Sequence, residues 1–156
     1  MQYRFIADTM LGKLARWMRM IGCDVEYFPK ISDRELVERA YRSGRIILTR
    51  DTRLIQRRKA RNNHCFVQGD SYKDQLRQVV KRFSIGPGTP SLTRCLLCNK
   101  LLLDIDKGSV EGKVPPYVYE TQDSFKTCPA CGRLYWGATH KDEMVRQLKE
   151  ILRGIS

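Results

Sequence analysis

Four cysteines stand in two tight pairs, Cys95-Leu96-Leu97-Cys98 and Cys128-Pro129-Ala130-Cys131. Two such pairs can deliver four thiolates to one tetrahedral Zn²⁺, a closed site that builds structure and performs no reaction. Gly132 follows the last cysteine, where a tight turn brings backbone N–H groups towards the sulfurs. The 29 residues between Cys98 and Cys128 exceed the usual spacer and suit a ribbon with an extra hairpin. Two disulfides or a redox C-x-x-C are the competing chemistries. Zinc is favoured because no secretory segment accompanies the cysteines and neither pair follows a thioredoxin-like strand. Any catalyst therefore lies elsewhere, and Asp8, Asp33 and Asp51 are the candidates. Each falls at or just beyond the end of a strand-like run. Hard carboxylates gathered on one edge suit Mg²⁺ or Mn²⁺ and the hydrolysis of a phosphodiester. The plain alternative is helix capping, for which Asp is a preferred residue.

Alternating elements would bring these acids together. Strand-like runs cover residues 3–7, 24–28, 46–49 and 64–67. A helical pattern over 10–21 places Leu11, Leu14, Ala15, Met18 and Ile21 on one face and Lys13, Arg16 and Arg19 on another. A second helix opens at the capping box Ser32-Asp33-Arg34-Glu35 and stops at Gly44. A third follows Asp51, and a fourth covers 72–83. Strand alternating with helix implies an α/β fold with a mostly parallel sheet covered on both faces. In such a sheet the strand carboxyl ends share an edge, and ligands bind outside it. The expected organisation is an α/β domain over 1–83, a linker over 84–91, a zinc ribbon over 92–140 read as short strands and turns, and a helix within 141–156. That last helix should place Met144, Leu148, Ile151 and Leu152 on one side. Asp70 is either a fourth acid or part of a turn, and His140 is an exposed or capping residue or a polar group near the site. Cys65 reads as a buried small hydrophobe.

The net charge of +12 is uneven. Residues 1–90 carry 19 Lys and Arg against 9 Asp and Glu, whereas residues 91–156 carry 10 against 8. The densest stretch is Arg50, Arg53, Arg57, Arg58, Lys59 and Arg61, with Asp51 the one acid among them. A solvated helix face is the bland reading; a polyanion such as RNA is the one favoured by this excess. Lys13, Arg19, Arg53, Arg57, Arg58 and Arg61 are the expected backbone contacts, with Arg16 and Arg50 beside the acids to hold a phosphate. No signal-peptide or membrane-length apolar run occurs, so a reducing, cytoplasmic compartment is expected.

The stretches Phe5-Ile6-Ala7-Asp8, Leu11-Gly12-Lys13-Leu14-Ala15-Arg16-Trp17-Met18-Arg19 and Ile47-Leu48-Thr49-Arg50-Asp51 resemble a PIN-like ribonuclease core. The two cysteine knuckles, with Val114-Pro115-Pro116-Tyr117-Val118-Tyr119-Glu120 between them, resemble the zinc ribbon that follows it. Together they are similar to the mutator-seven carboxy-terminal RNase family over residues 3–140. The resemblance implies a PIN-like α/β fold, a divalent-metal site at Asp8, Asp33 and Asp51, and RNA cleavage, endonucleolytic in the first reading. Many PIN domains place another acid two residues after the strand-three Asp. Arg53 stands there in this chain, which implies one metal or a weakly held one. In this reading the ribbon adds RNA contacts through Arg94, Lys100 and Arg133, while Tyr135 and Trp136 are either base-stacking platforms or, the favoured reading, part of its core. A non-catalytic RNA-binding adaptor is the alternative, and a protein-interaction ribbon a third.

Overall fold

The computed structural model describes residues 2–86 and 92–155, with the backbone alone for residues 138–142 and 144. Most of the expected linker, and the side chains of His140 and Met144, lie outside the described residues.

Four short strands build a parallel sheet: β1 Arg4–Ala7, β2 Asp24–Tyr27, β3 Ile46–Thr49 and β4 His64–Phe66, in the order β2-β1-β3-β4. Three helices belong to this part: α1 Gly12–Met20, α2 Asp33–Ser43 and α3 Tyr72–Phe83. The apolar stripe of α1 packs with α3 on one face, over Phe5, Leu14, Met18, Val25, Leu76 and Val79. Leu36, Val37 and Ala40 of α2 cover the other face with Ile6 and Ile47. Burial on both faces is why the central strands β1 and β3 read as apolar runs rather than alternations. Cys65 is buried in the first of these cores. Chain β1 leaves towards β2 on one side, and chain β3 leaves towards β4 on the other. The gap between the carboxyl ends of β1 and β3 is therefore a topological switch point, where open α/β sheets bind ligands.

Helix α2 starts as its sequence dictates: Ser32 Oγ accepts from Glu35 N at 3.1 Å, and Gly44 closes the helix at φ 70°. The third helix does not form. After Asp51 there is only a 3₁₀ turn, Leu54–Gln56, which Arg57 ends in extended backbone. Only Leu54 and Ala60 of this arginine-rich stretch reach the core, so no apolar stripe repays helix formation. The basic segment is thus a turn-rich loop.

A second, antiparallel sheet has the order β5-β6-β7, from β5 Leu103–Ile105, β6 Phe125–Thr127 and β7 Leu134–Trp136. A 3₁₀ turn, Lys107–Val110, and helix α4, Pro116–Thr121, fill the loop after β5. The helix replaces the strands and turns expected there. Pro116 sits at its first position, where the missing N–H costs no bond. The last helix, α5 Ala138–Ile151, returns to the first core: Leu148, Ile151 and Leu152 pack against it, and α5 lies on α3. Arg77 Nη1 locks this return by donating to Ile151 O at 2.5 Å and Arg153 O at 2.9 Å.

Candidate active site and zinc centre

Asp8 follows β1 and is 4% exposed. A carboxylate buried this far needs donors, and three meet it. Met10 N donates to Oδ1 at 2.8 Å; Thr49 Oγ1 donates to Oδ2 at 2.5 Å, and Arg50 N at 3.3 Å. Asp8 does not cap α1, whose N-cap is Leu11 with no side-chain bond. The loop carrying it is braced from β2: Tyr27 Oη donates to Thr9 O at 3.0 Å. Gly12 makes room for that phenol, since a Cβ there would lie 2.9 Å from Tyr27 Oη.

Asp51 stands across the switch point on the same hydrogen-bonded unit. The hydroxyl of Thr49, fully buried, accepts from Asp51 N at 2.9 Å while it donates to Asp8. Asp51 Oδ1 accepts from Arg53 N at 2.8 Å, an Asx-type turn that replaces the expected helix cap. Arg50 swings towards β4, and its Nη2 donates to Asp70 Oδ1 at 2.5 Å. Asp33 is different. It is exposed in the first turn of α2, where Ser32 rather than Asp33 is the cap, and its carboxylate has no hydrogen-bond or ion-pair partner among the described residues. The Thr49 hydroxyl thus joins Asp8 to the backbone of Asp51, Arg50 N bonds Asp8 directly, and Asp33 is not part of that unit. Among the described residues, the four cysteines are the one group of three or more metal-ligating side chains gathered as an ion would need, their sulfurs all within 4.8 Å of one another; the three aspartates do not form such a group.

Those cysteines are Cys95, Cys98, Cys128 and Cys131, all unbridged. The Cys95 and Cys131 sulfurs lie 3.7 Å apart. That is the edge of a tetrahedron with Zn–S bonds near 2.3 Å, about 3.8 Å, and far beyond a disulfide bond of about 2.05 Å. The knuckles are copies of each other. Cys95 N donates to Lys100 O and Asn99 N to Cys95 O; likewise Cys128 N donates to Arg133 O and Gly132 N to Cys128 O. Asn99 and Gly132 hold matching left-handed positions at φ 65° and 75°. Ala130 N and Cys131 N point at Cys128 Sγ, and Tyr135 Oη lies 3.2 Å from Cys95 Sγ. Burial opposes ionisation of Cys95, but Tyr135, nearby backbone N–H groups and Cys131 draw its thiol down to about 6. Cys98 is pushed up to about 12 by its bond with Cys131, by burial and by the charge of Cys95. Neighbouring thiols cannot all ionise without a cation, so this donor set fits a dication such as zinc.

Two residues expected to touch RNA instead bond within the junction of sheet and ribbon, Arg19 buried and Arg94 partly buried. Arg19, 5% exposed, donates through Nε to Val25 O at 2.8 Å and through Nη1 to Leu96 O at 2.8 Å and Leu97 O at 3.3 Å. Burial lowers its pKa, opposed by Cys95, Cys98, Asp24 and Glu26. Arg94 Nη1 donates to Asn99 O at 2.9 Å and its Nη2 lies 3.9 Å from Asp24. Both are withdrawn from the RNA-binding set. The residue that sequence reasoning missed here is Asn99. Its Oδ1 accepts from Val25 N at 3.0 Å and its Nδ2 donates to Asp24 Oδ1 at 2.6 Å. Its signal was the position after a C-x-x-C pair, matching Gly132. Lys13, Arg16, Arg53, Arg57, Arg58 and Arg61 are all exposed. Tyr135 packs on the cysteines and Trp136 on the core behind them.

The fold and this centre define a parallel α/β domain bearing acids at its switch point and a four-cysteine ribbon suited to structural zinc. The chain matches the Mut7-C RNAse domain model over residues 3–148 and belongs to that family. Neither a search of curated proteins nor one of solved structures gave a match. Among the described residues no helix is long and apolar enough to cross a membrane.

Proposed function

We propose that the chain is a divalent-metal-dependent ribonuclease, cutting RNA endonucleolytically at the crevice between β1 and β3. The observation that carries this reading is Asp8, a carboxylate buried at the switch point and tied through Thr49 to the backbone of Asp51. Asp8 and Asp51 would hold Mg²⁺ or Mn²⁺, with Asp33 contributing through bridging water. Magnesium keeps several of its waters, so carboxylates further apart than direct ligands suit it. The ion would supply an activated water and offset charge on the departing oxygen. The residues do the rest. Three donors keep Asp8 oriented while leaving it lone pairs to spare. Arg50, steered by Asp70, and Arg16 hold the phosphate, and Arg53, Arg57, Arg58 and Arg61 track the backbone. A reducing cytoplasm suits the unbridged thiols.

Asp51→Asn is the test. Asparagine keeps the Asx turn but removes a charge from the metal site. Mn²⁺-dependent cleavage of a panel of single-stranded and structured RNAs should fall by orders of magnitude, with RNA binding retained. Cleavage left intact removes Asp51 from the site. A wild type inactive on every RNA favours the adaptor, a reading supported by the absence of a tight three-aspartate cluster.

A further inference from the structure

Beside the acids lies a surface that neither the zinc centre nor the acidic unit uses. Trp17 of α1 and Tyr72 of α3 stack with centroids 5.5 Å apart and planes 22° from parallel. Both rings rest on the main core and both remain half-exposed. The indole N–H of Trp17 and the hydroxyl of Tyr72 have no hydrogen-bond partner among the described residues. Lys13 Nζ sits 5.3 Å from the Tyr72 centroid, and neither Lys13 nor its neighbour Arg16 has an acid partner among the described residues. By contrast Arg39, Arg42, Arg45, Arg50 and Lys59 are all ion-paired. Chain placement puts Tyr72, the first residue of α3, on the strand-end side of the sheet, and Trp17 stacks on it from within α1. α1 opens four residues after Asp8, and Tyr72 follows two residues after Asp70, the partner of Arg50.

We infer that Trp17 and Tyr72 form a subsite for an unpaired nucleobase, so that the substrate is single-stranded RNA. This rests on the ribonuclease reading and names the substrate class of that site. Every nucleobase offers a π-face, so the aromatic pair extends its stack by one base without regard to identity. Lys13 takes the adjoining phosphate, giving up a cation–π contact that the base replaces. A base held in a duplex is already stacked on both faces and cannot enter. The subsite thereby selects unpaired segments and delivers the neighbouring phosphate towards Arg50 and Asp8.

The test reads binding alone, with the full zinc-loaded chain in a buffer free of Mg²⁺ and Mn²⁺, by fluorescence anisotropy. The ligands are oligouridylate, an abasic ribose-phosphate oligomer of the same length, and a blunt RNA duplex. Wild type should bind oligouridylate roughly tenfold or more tighter than the abasic oligomer, the stacking contribution of about one base. Tyr72→Leu, which keeps the packing on the core, should lose most of that ratio while its affinity for the abasic oligomer stays unchanged. Tyr72→Phe should keep the ratio. Because the ratio compares two ligands on one protein, a folding defect cannot imitate the result. A base preference that survives Tyr72→Leu, or a wild type that prefers duplex, overturns the subsite alone. A wild type that binds none of the three ligands overturns the RNA reading with it.

Discussion

Asn99→Ala should destabilise the α/β domain although Asn99 belongs to a zinc knuckle. β2 is an edge strand, and Val25 turns its N–H and C=O outward, where no strand receives them. Asn99 Oδ1 takes the N–H and Arg19 takes the C=O. Alanine leaves the Val25 N–H buried without an acceptor, which costs about 1–3 kcal/mol, and deletes a bond to Asp24 worth about 1 kcal/mol. Alanine keeps the Cβ that asparagine already holds in the left-handed region at φ 65°, so none of that strain is relieved. The expected loss is about 3 kcal/mol, a fall in Tm of about 6–12 °C for a domain of this size. Asn99→Gly should fall less, because glycine accepts the positive φ while losing the same two bonds. Calorimetry of the zinc-loaded variants, with zinc content measured alongside, separates lost docking from lost metal. A Tm for Asn99→Ala within about a degree of wild type would refute the reasoning, as would glycine falling as far as alanine.

Protein purified under reducing conditions without added metal should contain one zinc per chain by elemental analysis, and Cys131→Ser should lower that content; intramolecular disulfides without zinc would reject the site. Burial would raise the pKa of Asp24, but bonds from Arg45 and Asn99 and the charges of Arg45 and Arg94 bring it below the usual carboxylate range. Its stabilisation is therefore present above the unfolded-state pKa of about 3.9 and is lost as pH falls through the lower folded value. Asp24→Asn should flatten the acid limb of urea midpoints measured from neutral pH downward; parallel limbs would contradict this. The combined change Arg53→Gln, Arg57→Gln and Arg58→Gln should weaken binding to all RNAs and flatten the log–log salt slope by about 2, at roughly 0.7 per phosphate contact. Unchanged affinity and slope would clear those arginines of the role.

The sheet was legible because its central strands are buried on both faces and its helices carry apolar stripes and caps. Ser32 and Gly44 bound α2 as read, and α3 spans the predicted residues. The failures have local causes. After Asp51, turn chemistry and the lack of an apolar stripe defeat a helix that composition alone allows. Pro115-Pro116 reads as a break, yet proline at the first helical position starts α4. Arg19 and Arg94 look like surface charge because Leu96, which Arg19 bonds, and Asp24, which Arg94 approaches, are far away in sequence. For the acids, placement at strand ends was readable, whereas the bridging hydroxyl of Thr49 depends on register between β1 and β3.

These contacts explain why the ribbon is joined to this domain. An open four-stranded sheet leaves edges that must be covered or blunted. Here the first knuckle covers β2, through Asn99 on the Val25 N–H and through Arg19 between the Val25 carbonyl and the carbonyls of Leu96 and Leu97. The same strand carries Tyr27, whose hydroxyl braces Thr9 in the loop that mounts Asp8. A small ribbon of this kind folds around its metal. A zinc held by the four cysteines would therefore act at a distance from the acids, by fixing the strand from which the Asp8 loop is held, and the α/β domain without its ribbon would present a buried carboxylate on a sheet whose edge is unsatisfied.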